Sequence, residues 1–329
     1  MAVFKWGEWA EAVMRMLVEV KPGENLLILA DTWTNMEIAE ACLIAGINAK
    51  ANAQLLVIPR MAPSDRREFN PSTTGAIMGA DVIVGLCETN VNRRAAAREA
   101  REKGARTTSV VSMKEEDYVF EALLDIDYPA MIKLGEKICE MWEKTEVCRV
   151  TSALGTDISF RLKGRPADPC DGRAIRPGQL GYFPGGTPSI APIEETINGT
   201  IVVDGNITGS GVVSEPVTAR LEKGVIIAIE GGADADAWRS LLESTGEPKA
   251  FHLCHFNVGI NPRAELPAEH AWGIVDFGFG HQDAWYQGTV GQDVKMHTDV
   301  TLYSATITLD GVVMVEDRKF NPDLGLGGL

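Results

Sequence analysis

Through residues 1–147 short apolar runs alternate with helical stretches, and this rhythm limits the chain to few folds. Leu26-Leu27-Ile28-Leu29-Ala30 is apolar at every position and too short for a core helix, so it reads as a buried strand ending at Asp31. Residues 3–20 read as a helix before it, closed by the turn Lys21-Pro22-Gly23-Glu24. Met36–Ala45 reads as a second helix, stopped by Gly46. The strand signal returns at Gln54–Ile58, Asp81–Leu86 and Arg106–Val111, with a helix at Arg93–Lys103 and a long closing helix at 127–147. Strands separated by helices pair in parallel, so residues 1–147 are expected to form an α/β, Rossmann-like domain with a doubly wound, mostly parallel sheet.

Residues 148–329 read differently. Glycine, proline and β-branched residues dominate, and short strand candidates fall at Asp157–Leu162, Thr200–Val203, Val225–Glu230 and Val300–Leu309. Turn pairs separate them at Asp204-Gly205, Gly231-Gly232 and Asp310-Gly311, and one helix is expected near Ala235–Ser244. The expectation is a second, strand-rich α/β domain.

Composition narrows the function. A formal net charge of −15 disfavours nucleic acid and anionic membrane as partners, because phosphate would be repelled. It suits a small-molecule substrate. No apolar run reaches the roughly 18–20 residues that span a bilayer, and Glu8, Glu11 and Glu19 rule out a secretory reading of the N-terminus. Six cysteines without a C-x-x-C pair point to reduced thiols and a cytoplasmic protein.

All five histidines lie between His252 and His297, and imidazole is the commonest transition-metal ligand. The alternating stretch from Met296 to Tyr303 reads as a strand with His297 and Asp299 on one face. A third ligand is expected from His252 or His255, which a regular strand would point to opposite faces. Two imidazoles and one carboxylate form a facial triad suited to Fe(II), and the same ligand types accept Mn or Zn.

Several motifs in order carry a family resemblance: Tyr182-Phe183-Pro184-Gly185-Gly186, Asn198–Gly205, His255-Phe256-Asn257-Val258-Gly259-Ile260-Asn261-Pro262-Arg263-Ala264, Gly273–Gly280 and His297-Thr298-Asp299. Residues 150–315 thereby resemble the 2,5-dihydroxypyridine 5,6-dioxygenase family, which shares its fold with the M29 (aminopeptidase T-like) metallopeptidases. The resemblance implies a non-haem Fe(II) enzyme with His255, His297 and Asp299 as ligands. It implies extradiol-type opening of a small hydroxylated aromatic or N-heterocyclic ring by O2, in a homo-oligomer. Glu88, Asp276, His281 and Tyr303 are the candidates for catalytic or substrate contacts.

Two departures qualify the resemblance. Thr187, His255 and Asp276 stand where the peptidase branch implies Glu, Glu and His, which weakens a two-metal hydrolase. That class, M29 aminopeptidase-like or amidase, is the alternative reading. The dioxygenases also imply an acid/base histidine near the end of the Asp81–Leu86 strand, whereas this chain has none before His252 and offers Cys87–Asn92 there.

Overall fold

The computed structural model of the chain describes residues 2–327, except 62–66, 112, 114, 283–285, 287, 289–293 and 295. It divides into two compact units, Met1–Tyr128 with Cys170–Gly185, and Pro129–Pro169 with Gly186–Leu329. In place of one boundary after residue 147, the segment Cys170–Gly185 groups with the N-terminal residues and most of the long helix with the C-terminal ones.

In the first unit, α1 (Ala2–Ala12) runs into a π-helical turn over Val13–Leu17, followed by β1 (Asn25–Asp31), α2 (Met36–Asn48) and β2 (Asn52–Ile58). Next come α3 (Pro71–Met78), β3 (Val82–Gly85), α4 (Ala95–Glu102), β4 (Arg106–Val110) and α5 (Glu116–Leu124). The strands form the expected parallel sheet in the order β2-β1-β3-β4, to which β8 (Leu180–Phe183) adds a fifth parallel strand beside β4.

Asn35 caps α2 by accepting the Glu37 N–H, and Asn70 caps α3 by accepting that of Thr73. Gly46 does not end α2, which continues to Asn48. A Cβ at Gly46 would fall 2.4 Å from the Leu26 side chain, so this glycine lets the helix close onto β1. One layer of core joins Leu27, Leu29, Ile58, Ile77, Ile83 and Val91.

The second unit contains α6 (Tyr128–Lys144), α7 (Gly232–Glu243) and two antiparallel sheets. The eight-stranded sheet takes β5 (Val147–Thr151), β6 (Asp157–Arg161), β10 (Asn198–Val203), β13 (Val217–Glu222) and β14 (Val225–Glu230). It is completed by β18 (Thr306–Leu309), β19 (Val312–Glu316) and β20 (Lys319–Phe320). The seven-stranded sheet takes β7 (Ala167–Asp168), β9 (Ser189–Ile190), β11 (Asn206–Ile207) and β12 (Gly211–Val212) at its edges. Its centre is β15 (Leu253–Val258), β16 (Val275–Gly280) and β17 (His297–Leu302). The strand expected over Val300–Leu309 is therefore two, β17 and β18, which pass into different sheets.

The sheets pack through aromatic rings. Phe160 of β6 lies 5.2 Å from Phe256 of β15 and 6.3 Å from Phe277 of β16, centroid to centroid. Trp142 of α6 meets Phe256 at 5.0 Å, and Trp238 of α7 meets Phe279 at 5.5 Å. One face of β15–β16 is thus committed to an apolar core. Among the described residues no helix is long and apolar enough to cross a membrane.

Candidate metal centre

The other face of the same strands is polar. Side chains alternate along a strand, so Asp276, Gly278 and Gly280 face away from Phe277 and Phe279. Across β16, Gly278 pairs with His255 on one side and with Asp299 on the other. His255 and Asp299 start two strand spacings apart, about 10 Å. Their side chains nevertheless approach to 3.3 Å, His255 Nε2 to Asp299 Oδ1, over the glycine between them. Asp299 Oδ1 also lies 2.8 Å from His297 Nε2, two residues earlier on β17.

His297 is held in one tautomer. Its Nδ1 is 2.8 Å from the His281 carbonyl oxygen, which can only accept, so Nδ1 keeps its proton and Nε2, 2.8 Å from Asp299, is the nitrogen that a metal would take in exchange for a proton. His255 is set by an irregularity in β15. Between Leu253 and His255 the register shifts by one, leaving Cys254 as the extra residue of a β-bulge. Cys254 Sγ consequently lies 3.8 Å from Nδ1 of its own neighbour His255 and 3.8 Å from Nδ1 of His297.

Charge at this place is unbalanced. Burial favours raising the Asp299 carboxyl, but the charges and hydrogen bonds of His297 and His255 hold it well below the usual carboxylate range. Burial likewise opposes charge on His297, yet the Asp299 carboxylate and Cys254 lift it to about 10. Burial and the Asp299 charge push Asp276 up to about 7, and the same carboxylates raise Glu269, whose side chain stays 34% exposed. The negative field thus retains positive charge on the imidazoles, the place a bound cation would take.

Two sets of three ligand atoms lie within 4.8 Å of one another, Cys254/His255/His297 and His255/Asp276/Asp299. His255 Nε2 and both Asp276 carboxylate oxygens are buried with no hydrogen-bond partner among the described residues. Each such orphan costs about 1–3 kcal/mol unless something satisfies it. A metal ion bound by these donors would satisfy all three, so the residues present fit one.

The other candidates lie elsewhere or act differently. His281 contributes its carbonyl to His297, while its own Nδ1 is 3.1 Å from the Val294 carbonyl oxygen. Tyr303 follows β17, its backbone N–H donating to the Asp204 carboxylate at 2.8 Å. Glu88 is in the first unit, ion-paired with Arg60, whose guanidinium sits 3.5 Å over the Trp33 ring. Its backbone N–H donates to buried Asp31 at 2.8 Å, where β1 ends. His252, the alternative to His255, is in neither set, and its carbonyl accepts from the Gly280 N–H at 2.9 Å. Glu269, in the segment between β15 and β16, had no periodic signal to mark it.

Parallel-sheet unit, antiparallel-sheet unit and buried histidine–carboxylate cluster together describe an α/β enzyme with a candidate metal centre. The chain belongs to the NicX family, 2,5-dihydroxypyridine 5,6-dioxygenase, whose model matches residues 5–322. It is thereby an oxidoreductase of the ring-cleaving dioxygenase class. The 2,5-dihydroxypyridine 5,6-dioxygenase of Pseudomonas putida is 24% identical over 272 residues, covering 77% of this chain and 75% of that protein.

The solved structure of the P. putida 2,5-dihydroxypyridine dioxygenase superposes with a TM-score of 0.80 at 19% identity, covering 98% of each chain. Wild-type AmpT from Thermus thermophilus superposes with a TM-score of 0.69 at 14% identity, over 96% of this chain and 99% of that one. The fold shared with the aminopeptidase T-like proteins is borne out.

Proposed function

We propose that this chain opens the ring of a small hydroxylated aromatic or N-heterocyclic compound of the 2,5-dihydroxypyridine type, with O2 as co-substrate and one Fe(II) held by His255, His297 and Asp299. The observation that carries this reading is the meeting of both imidazole Nε2 atoms at a single Asp299 oxygen, at 3.3 and 2.8 Å. When bound, the iron supplies a centre through which electrons pass between the ring and dioxygen.

The chain's own side chains prepare that place. The His281 carbonyl holds the His297 ring so that Nε2 faces inward. The Phe256, Phe277 and Phe279 face behind the cluster excludes water and lowers the local dielectric, which strengthens each charge interaction. Glu88 and Tyr303 stay in this reading as substrate-contact candidates, Asp276 as a group lining the centre and His281 as its support. Self-association into a homo-oligomer is part of the proposal and is read by size-exclusion chromatography with light scattering.

The test is elemental analysis of anaerobically purified protein beside His255→Ala and His297→Ala, followed by oxygen uptake with a panel of hydroxypyridines and hydroxybenzoates. About one iron per chain, lost in both variants, with uptake on at least one hydroxypyridine, is the expected result. Two zinc or manganese ions per chain without oxygen uptake would return the chain to the hydrolases.

A further inference from the structure

The His255 ring is bounded on its faces, and its faces alone do not orient it. A Cβ added to Gly278 would lie within 2.7 Å of Cε1, Nε2 and Nδ1 alike, so the ring lies flat over that glycine. Tyr286 runs nearly parallel to it, with 13° between the planes and 5.5 Å between centroids, and its hydroxyl is anchored at Ser189 Oγ, 2.6 Å away. Flat walls do not tell an imidazole from its half-turn flip, because carbon and nitrogen on the ring edge fill the same space. A hydrogen bond to Nδ1 does separate the two.

For His297 that bond goes to the His281 carbonyl oxygen. For His255 one group is within reach among the described residues, the buried Cys254 thiol, with Sγ 3.8 Å from Nδ1. The bulge puts it there. Adjacent residues of a regular strand face opposite sides, and the register shift lets Cys254 reach the ring of its own neighbour. Gln282, beside His281, holds this stretch of backbone by donating its side-chain amide to the Cys254 carbonyl oxygen. Sγ is equally far from His297 Nδ1, but the proton on that nitrogen is committed to His281.

We infer that Cys254 is the positioning residue of His255: its sulfur accepts the Nδ1–H and so keeps Nε2 turned to Asp299. The inference rests on the metal-centre reading above and deepens it. Cys254 is not a ligand here and acts only through the imidazole. Thiol sulfur is a weaker acceptor than a carbonyl oxygen. His255 is therefore the less firmly held and the less basic of the two rings.

Co(II) serves as probe, added to the metal-free full-length chain, because its unpaired electrons carry the N–H proton of each ligand ring far outside the ordinary proton NMR range. The parent is expected to show two such solvent-exchangeable resonances. In Cys254→Ala one of them is expected to move and to exchange faster with solvent while the other stays in place, and Co(II) affinity to fall about tenfold. Cys254→Ser, which keeps an acceptor, should recover part of both losses. Two resonances unchanged in Cys254→Ala, or both displaced alike, would overturn the assignment. A parent with a single exchangeable resonance would also overturn it, without any variant having to fold. Failure of the underlying reading looks different: the parent would bind no Co(II), or His255→Ala would bind it as tightly.

Discussion

Gly278 stands between His255 and Asp299, and a Cβ placed on it would lie 2.3 Å from the His255 imidazole Cε1. The ring occupies the space that any side chain at 278 would need. Gly278→Ala must therefore push the imidazole off Asp299 or distort β16, an overpacking cost of about 1–3 kcal/mol. Metal affinity is expected to fall about 10–100-fold, read by Mn(II) titration, while the lowering of the melting temperature stays modest. A variant that binds metal like the parent would show that the ring does not depend on this gap.

Metal should stabilise the fold as well as serve the chemistry. Ligands that bind only the folded chain add about 2.7 kcal/mol when present at 100 times their dissociation constant. Anaerobic addition of Fe(II) to the metal-free chain is expected to raise the melting temperature and a chelator to reverse the rise. His297→Ala should abolish both effects. An equal rise in that variant would mean that the ion binds elsewhere.

The aromatic layer behind the centre is tested by Phe256→Ala. Phe256 is fully buried, with ring centroids 5.0 Å from Trp142, 5.2 Å from Phe160 and 5.5 Å from Phe277. Loss of about 3–5 kcal/mol is expected, measured by urea unfolding, with Phe256→Leu losing less.

Acid sensitivity in the first unit is expected at Glu24. Burial would raise its carboxyl, but the Arg106 hydrogen bonds at 2.9 and 2.8 Å, the Lys21 N–H and both positive charges outweigh burial and hold it below its usual value of 4.5. A lowered folded value means that the stabilisation is complete above the unfolded value of 4.5 and drains away as pH falls through the folded one. Glu24→Gln should therefore cost about 1–2 kcal/mol at neutral pH, and the gap from the parent should close on acidification below 4.5. A gap that does not change with pH would assign the loss to packing.

Much of this was legible in the residues. The all-apolar run at Leu26–Ala30 could be satisfied only by cover on both faces, and the β2-β1-β3-β4 order follows from helices crossing between parallel strands. His297 and Asp299 share a face because the side-chain period of a strand is two. The return of Leu180–Phe183 to the first sheet was not legible, since partners across such a separation leave no local pattern. Nor was the proximity of Cys254 to both imidazoles, which depends on a broken period. Asp276 was visible as an acid in a glycine-rich strand, but its lack of donors is a property of the folded surroundings.

The bulge at Cys254 gives β15 two phases, one on either side of that residue. Deleting Cys254 would restore regular alternation with both neighbours in place, because Leu253 beside Phe279 and His255 beside Gly278 already face opposite sides, as adjacent residues of a strand do. The extra residue is thus not what keeps Leu253 and His255 on their faces; it adds a thiol 3.8 Å from Nδ1 of both imidazoles. A chain one residue shorter at that point is expected to keep its histidine over Gly278 and to lose only the thiol beside it.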